Sequence, residues 1–544
     1  MTLGFIGIGS SCLFRLVFKK MRISPWLDNL GRQGQMKFVF VLFDSLNLKF
    51  LESYGGPKGD TPNFERFAKR SVTFDKHYVG SLPCMPARRD LHTGRLSMMH
   101  RSWGPLEPYD NSFAQMLDQS GTHSRLITDH YHYFEDGGAG YHTRYSSWDM
   151  IRGQEYDSWK VLLDPPTDAF KKKFNPKHYD FDRKSWKSRH AVNLEFMKEE
   201  AQLPGPRCFA SAFEFLDQNR DADDWFLQIE TFDPHEPFQA PDKYRRAGDS
   251  DYEGGVLNWP SYAQVDENAS EIAEIRASYA ALVRMCDAYF GRLLDYFDEH
   301  DLWKDTALIM STDHGFLLSE HQWWGKCRMP YYEEIAHIPM MFYHPDHADK
   351  AGTRCDQLTQ TPDIMPTILD CFGLEKPAET LGTSLLDVMQ AEPEEREVLF
   401  GIFGGAIGVT DGRYVMFHYP PDTTADGLYE YTLNPQHMTA PFTNKELKTA
   451  ELAPGFDFTK GLPLLKIEAQ KDAKRVPMND GLGFDEAEFA LFDLVNDPEQ
   501  KTSIRDEAVE TRLYAAMMKH LAQLDTPPEA YDWYALGQPA EAAV

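Results

Sequence analysis

The residues Lys37–Phe43, KFVFVLF, run apolar without alternation and stop at Asp44. A strand with no polar side has both faces buried, the pattern of a parallel strand covered by helices on either face of its sheet. Two further strand candidates lie downstream. Trp225–Glu230, WFLQIE, runs into Phe232–Phe238, and Ala307–Thr312, ALIMST, delivers Asp313, His314 and Gly315. In open α/β sheets functional groups collect beyond the carboxyl ends of the strands. If the sheet is parallel, Asp44 comes close to Asp313 and His314, and such a set is a candidate divalent-cation site. Taken singly, an acid after a strand is more often a turn or a cap.

A second constraint sits at Ser81–Arg95, SLPCMPARRDLHTGR. Pro86 fits the first turn of a helix, where its missing N–H costs nothing, so Cys84 lies at the positive end of that helix. Exposed backbone N–H groups and Arg88 then favour a tetrahedral oxyanion. For the cysteine and arginine alone, a buried thiol beside a helix start is an equal reading. Three other stretches carry candidate chemistry. His235 sits between Pro234 and Pro237, which restrain the backbone of an imidazole suited to general acid work. Lys326 follows Trp323–Trp324–Gly325, and an ammonium partly desolvated by tryptophans pulls harder on an anion; the alternative is a snorkelling surface lysine. Asp129–Tyr133, DHYHY, follows the strand candidate Ser124–Thr128, and alternation puts His130 and His132 on one face, or Asp129 and Tyr131. The histidine pair is the preferred donor set for an oxyanion, against a purely structural aromatic cluster.

The spelling C-x-P-[SA]-R with TGR, carried by Cys84, Pro86, Ala87, Arg88, Thr93, Gly94 and Arg95, is the signature of the type I sulfatases, in the alkaline phosphatase superfamily. The chain resembles that family over most of residues 37–525. Thr61–Ala68 (TPNFERFA) is similar to its TPN-x-x-R-x-A segment, Phe232–Phe238 to its P-H-x-P-[FY] turn, and Asp313–Gly315 to its D-[HN]-G strand end. Pro362–Gly373 and Leu491–Glu499 (LFDLVNDPE) are similar to later family segments. The resemblance implies an alkaline-phosphatase-like α/β fold, with a mostly parallel central sheet flanked by helices and a smaller α+β C-terminal domain containing an antiparallel sheet. It implies that Cys84 is oxidised to formylglycine by a maturation enzyme, and that Asp44, Asp313, His314 and the modified Cys84 hold one divalent ion, Ca2+ or Mn2+. It further implies that Arg88 and Lys326 offset charge on the transferred group, that His235 protonates the leaving oxygen and that His130 and His132 bind substrate. Two departures stand out. Many sulfatases carry a second ligand Asp directly after the first, where this chain has Ser45, as the related phosphonate monoester hydrolases also lack it. The family's strand-end lysine is missing from Asp129–Tyr133.

With 544 residues, 42% of them hydrophobic, the chain is long enough for more than one domain. The expected division is an N-terminal extension at 1–35, a catalytic domain at 36–400 and a C-terminal subdomain at 401–544. The hairpin pattern of Ile407–Tyr419 around Asp411–Gly412 and a helix at Val509–Leu524 belong to the last. A formal charge of −28 argues against nucleic acid or an anionic membrane surface as partner. Seven scattered cysteines favour reduced thiols and a cytoplasmic setting, with periplasm or secretion as the alternative. Neither a signal peptide nor a membrane span is expected, and a homo-oligomer is compatible with the sequence. The aromatic stretch Phe134–Trp159 reads as a substrate loop for a sulfated sugar or as a core cover, and residues 165–190 as an exposed insertion. Three functions follow in order: sulfate ester hydrolase, phosphonate or phosphodiester hydrolase with the same nucleophile, and an inactive sulfated-glycan binding protein.

Overall fold

The computed structural model describes residues 36–182, 185–392, 394–469 and 489–537. The expected extension at 1–35 lies outside the described residues, as does the end of the chain. Lys37–Phe43 is a strand at the middle of an eight-stranded sheet. Across the sheet the order is Arg354–Gln360, Val72–Tyr78, Met340–Tyr343, Thr306–Thr312, Lys37–Phe43, Trp225–Thr231, His123–Thr128 and Ser147–Met150. Every pairing is parallel except the two made by Met340–Tyr343.

The absence of alternation in KFVFVLF has the expected cause, since both faces of the strand are covered. Val39, Val41 and Phe43 pack with Phe64, Leu282 and Phe290, while Phe38, Phe40 and Leu42 pack with Met85, Leu91 and Phe113. Each such side chain stabilises by about 1.5–3 kcal/mol on leaving water. One face is therefore closed by helices Pro62–Ala68 and Ala269–Glu299, the other by Cys84–Thr93 and Phe113–Ser120. The long helix starts at Ala269 because Asn268 and Glu271 cap it reciprocally.

A second sheet of five strands runs Ala490–Asp493, Tyr414–His418, Ile407–Thr410, Val398–Ile402, Ser81–Leu82. The hairpin around Asp411–Gly412 forms as the alternation indicates, with Gly412 at φ +83°, and helix Glu507–Gln523 packs Leu513, Met517 and Leu521 onto this sheet. Its edge strand, Ser81–Leu82, comes from far upstream and pairs parallel with Val398–Ile402. The two residues immediately before Pro83 and Cys84 are thus held by the C-terminal sheet. Residues 165–190 depart from the reading as an exposed insertion: Phe170, Phe174 and Tyr179 are buried in the main core, while Lys171, Lys172, Lys173, Pro176 and Lys177 between them face water. The charge run hid three apolar anchors.

Asp90, one turn before the end of the Cys84–Thr93 helix, ties the helix to its entry strand. Its carboxylate accepts from Ser81 N at 2.6 Å, Ser97 N at 2.9 Å and Ser97 Oγ at 3.0 Å, and burial raises it to about 7. Gly94 then closes the helix at φ +65°, where an added Cβ would lie 2.6 Å from Thr380 Cγ2. Replacing Asp90 by Ala leaves the Ser81 N–H and the Ser97 hydroxyl without this acceptor, on the order of 1–3 kcal/mol for each. The expected result is a lowered urea midpoint, with Asp90→Asn losing less.

Candidate active site

The register of the central strands sets the site. Phe43 is opposite Thr231 on one side and Thr312 on the other, and Leu42 is opposite Glu230. Asp44, Glu230 and Asp313 therefore sit together at the carboxyl end of three adjacent strands. Arg88, fully buried on the Cys84–Thr93 helix, reaches all three. Its Nη2 donates to Asp44 Oδ2 at 2.9 Å, Nη1 to Asp313 Oδ2 at 2.5 Å and Nε to Glu230 Oε1 at 2.7 Å. A fourth bond, Nη1 to the Cys84 carbonyl at 3.0 Å, closes the helix start over the cluster. Burial alone would raise the Asp44 carboxyl, but Lys326 and Arg88 outweigh it and hold it well below the usual range. Burial would likewise depress the Arg88 guanidinium, and its three carboxylate partners instead lift it further.

Cys84 heads the helix with its Sγ at the centre of the remaining groups. His314 Nε2 and Lys326 Nζ each lie 3.2 Å from it. Sγ stands where the oxygens of an oxidised, hydrated residue 84 would be. Burial and the Asp44 carboxylate push the thiol well above its ordinary pKa. Lys326 is delivered by a small hairpin in which Leu317–Leu318 pairs with Trp324–Gly325, folding the chain back over Asp313. Gly325 takes φ +115°, and a Cβ there would meet the Tyr262 ring at 2.8 Å. Ser45 adopts φ +61°, which turns its N–H onto Asp313 Oδ1 at 3.1 Å. Its hydroxyl donates to Asp44 Oδ1 at 2.8 Å and accepts from Lys326 at 3.2 Å.

The donor atoms of Asp44, Cys84, Asp313 and His314 lie within 4.8 Å of one another, and all four residues are buried. His314 gives its Nδ1 hydrogen to the Gly315 carbonyl at 3.0 Å, leaving the Nε2 lone pair toward the cluster. Two carboxylates, an imidazole nitrogen and the residue 84 side chain fit a single divalent ion.

Above this cluster opens a cleft of about 570 Å³ whose walls include Cys84, His132, His235 and Lys326. His235 donates from Nδ1 to the Glu236 carbonyl at 2.6 Å. Burial and Lys326 push its imidazole well below the usual histidine range. The structure brings six expected residues together: Asp44, Cys84, Asp313, His314, Lys326 and His235. Two expectations need correction. Arg88, expected at the transferred group, does not line the cleft: its three nitrogens donate to carboxylates beneath it, so it holds the cluster. His130 and His132 do not share a strand face, because the strand stops at Thr128 and Tyr131–Phe134 is a 3-10 turn. His132 is on the cleft wall, its Nδ1 bonded to Glu135 at 2.5 Å. His130 lies below, with Nε2 3.4 Å from Asp44 Oδ2 and, among the described residues, no hydrogen-bond partner at either nitrogen.

Sequence reading missed Glu230, although its position at the end of WFLQIE repeats the signal that marked Asp44. It also missed Glu155, Glu236 and Tyr262 on the cleft wall, and Phe403 from the second sheet's region. Of the Phe134–Trp159 stretch, Tyr141 and Tyr145 are core while Glu155 and Tyr156 line the cleft.

Comparison with known proteins places these residues in context. A family model described as Sulfatase matches residues 37–374, and one described as N-sulphoglucosamine sulphohydrolase, C-terminal, matches residues 319–453. The chain is 26% identical to the multifunctional alkaline phosphatase superfamily protein PehA of Trinickia caryophylli, over 60% of this chain and 70% of that protein. It is 23% identical to an N-acetylglucosamine-6-O-sulfatase of Bacteroides thetaiotaomicron, over 65% of this chain and 71% of that one. The phosphonate monoester hydrolase of Agrobacterium radiobacter has the same fold at a TM-score of 0.59 and 16% identity, covering 90% of this chain and 95% of that chain.

Removing the shared counter-ion is the direct test of this arrangement. Arg88→Met leaves three buried carboxylates facing one another, a loss on the order of 3–5 kcal/mol. The thermal midpoint should fall, and millimolar Mn2+ should restore more of it in the variant than it adds to the wild type.

Proposed function

The chain belongs to the sulfatase family and is a sulfuric ester hydrolase, and from that premise we propose that it acts through a formylglycine made from Cys84 by a maturation enzyme. The observation that carries the reading is Cys84 Sγ at 3.2 Å from both Lys326 and His314, at the floor of the cleft and beside the carboxylates of Asp44 and Asp313. A divalent ion bound by Asp44, Asp313, His314 and residue 84 supplies Lewis acidity to the nucleophile and the ester oxygens. The imidazole ligand and the loss of one carboxylate at Ser45 favour manganese or another transition ion over calcium.

One hydroxyl of the hydrated residue 84 attacks the sulfur of the ester, and the bond to the alcohol oxygen breaks. Lys326 lies against the nucleophile and offsets the negative charge growing on the sulfuryl oxygens. His235, across the cleft, gives its proton to the departing alcohol oxygen. The second hydroxyl then loses its proton and collapses to the aldehyde, expelling sulfate, and water adds to the aldehyde to restore the hydrate of residue 84. A plain serine or cysteine has no second hydroxyl for this release. Arg88 helps hold the Asp44 carboxyl below the usual range and keeps Asp44 and Asp313 in register throughout. His132, at the rim, is placed to donate to a substrate oxygen.

The same site supports a second reading as a phosphonate or phosphodiester hydrolase, and Ser45 in place of a second acid is the observation that favours it. Turnover of aryl sulfates against aryl phosphonate monoesters decides between the two, with the sulfate expected to have the higher kcat/KM. Peptide mass spectrometry of the Ser81–Arg95 segment should find an aldehyde at residue 84, and Cys84→Ala should abolish turnover of both esters. An unmodified thiol in active protein would sink the mechanism, and an unmodified thiol in inactive protein would leave the binding-protein reading.

His235→Ala should cost about 10²–10⁴ in kcat/KM on alkyl sulfates and far less on 4-nitrophenyl sulfate, whose leaving group needs no proton. As the depressed imidazole must be protonated to act, kcat/KM for alkyl sulfates should fall as pH rises. That limb should sit on the acid side of the ordinary histidine range and vanish in the variant.

A further inference from the structure

The turn that presents His235 rests on buried polar side chains for which the hydrolytic chemistry has no direct use. His235 N donates to the Phe232 carbonyl at 2.9 Å, and the two rings pack with centroids 4.1 Å apart. Both residues of the turn ahead of Pro234 are anchored from beneath. Asp129, one residue past the strand His123–Thr128, accepts from Phe232 N at 2.6 Å through Oδ1. Gln154 Nε2 donates to Asp233 Oδ1 at 2.8 Å and, at longer range, to Asp129 Oδ2 at 3.3 Å. Asp129, Gln154 and Asp233 are all buried, and none of them lines the cleft.

Gln154 has its own support. Arg152 grips Asp157 through Nε and Nη2, each at 2.7 Å, while Gly153 N donates to Asp157 Oδ2 and Asp157 N to the Gln154 carbonyl, both at 2.9 Å. Within this closed loop Glu155 takes φ +47°, and with Tyr156 it lines the cleft while Gln154 reaches the interior. On its other side Asp233 lies so close to the first turn of helix Pro204–Gln218 that a Cβ on Gly205 would come within 2.5 Å of Oδ2. Two carboxyl groups that share one amide nitrogen away from water cannot both carry charge cheaply. Burial raises both, Asp233 to about 7, and Asp233 raises Asp129 further. Apolar residues of like volume would serve stability at least as well. What the polar set adds is direction, because hydrogen bonds fix angles that apolar packing leaves free.

We propose that Asp129, Gln154 and Asp233 are positioning residues for the general acid: acting through the Phe232–Asp233 backbone, they aim the His235 imidazole at the departing alcohol oxygen. The inference rests on the reading of His235 as the proton donor. It also gives the Asp129 of DHYHY a part in the reaction, at one remove from the substrate.

The test compares an alkyl sulfate with 4-nitrophenyl sulfate in full-length variants. A misplaced catalytic group costs roughly 10²-fold, so Gln154→Ala and Asp233→Ala should lose about that factor in kcat on the alkyl ester, with KM little moved, and far less on the nitrophenyl ester. Asp233→Asn keeps the oxygen that accepts from Gln154 and should retain most of the alkyl activity. Gly205→Ala displaces Asp233 without removing any polar group, and should show the same split between esters. In a His235→Ala background Gln154→Ala should add little further loss on the alkyl ester, because the group it aims is already gone. Equal losses on both esters in Gln154→Ala and Gly205→Ala alike, fully additive losses in the double variant, or wild-type alkyl turnover in Gln154→Ala overturns the positioning role. If His235→Ala shows the split between esters and Gln154→Ala does not, that role alone falls. If His235→Ala loses equally on both, the general acid reading falls and the inference with it. Wild-type protein that turns over neither ester refutes the hydrolase reading on which both depend.

Discussion

One guanidinium holds the site together. Arg88 is inaccessible to water and donates to Asp44, Glu230 and Asp313, carboxylates from three neighbouring strands. Each of those groups would be costly to bury alone, and no single pair among them would repay the desolvation of both partners. The cluster stands because the parallel register brings all three acids to one edge, where a planar fork with five donors can meet them together. The same bonds fix the helix that carries Arg88. Cys84, one turn earlier and tied by its own carbonyl to Nη1, has its place above the strand ends decided by this contact.

The charge balance that results is suited to capturing an anion in an otherwise acidic protein. Arg88 offsets the carboxylates from below, while Lys326, brought in by the hairpin after Asp313, presents its ammonium upward beside residue 84. With only 3% of Lys326 exposed, its field is little screened within the cleft. The entry strand Ser81–Leu82 adds a mechanical link. It is paired to Val398–Ile402 of the second sheet, so the C-terminal region holds the backbone leading into Cys84 and also contributes Phe403 to the cleft wall.

What the sequence discloses follows the physics of each feature. KFVFVLF is bounded correctly to the residue because a strand buried on both faces leaves no choice of pattern. Asp44, Asp313 and His314 assemble as expected because a parallel sheet collects strand ends, and a helix start and a hairpin bring Cys84 and Lys326 to them. Arg88 shows where such reading stops. An arginine one turn after the cysteine was legible as part of the site, but whether its side chain points up to a ligand or down to carboxylates depends on Glu230, on a strand far along the chain. His130 and His132 separate because a 3-10 turn replaces the strand after Thr128, a change that DHYHY does not announce. Glu155 and Glu236 are polar residues in loops, and only the folded chain brings their carboxylates together.

Ser45 carries the clearest divergence from the family pattern, and the structure gives it a physical account. A second aspartate there would add a fourth buried carboxylate to a cluster served by Arg88 and Lys326. Ser45 instead gives its hydroxyl hydrogen to Asp44 and takes one from Lys326, and its positive φ directs its N–H at Asp313. It therefore satisfies donors and acceptors without adding charge. The consequence falls on the cation: with fewer hard oxygen ligands and an imidazole among those that remain, the site gives up the high coordination number that calcium prefers. It retains a compact set in which nitrogen ligation adds affinity for transition ions. Local charge economy at one residue thus bears on both which ion the cluster would suit and how Lys326 is held beside Cys84.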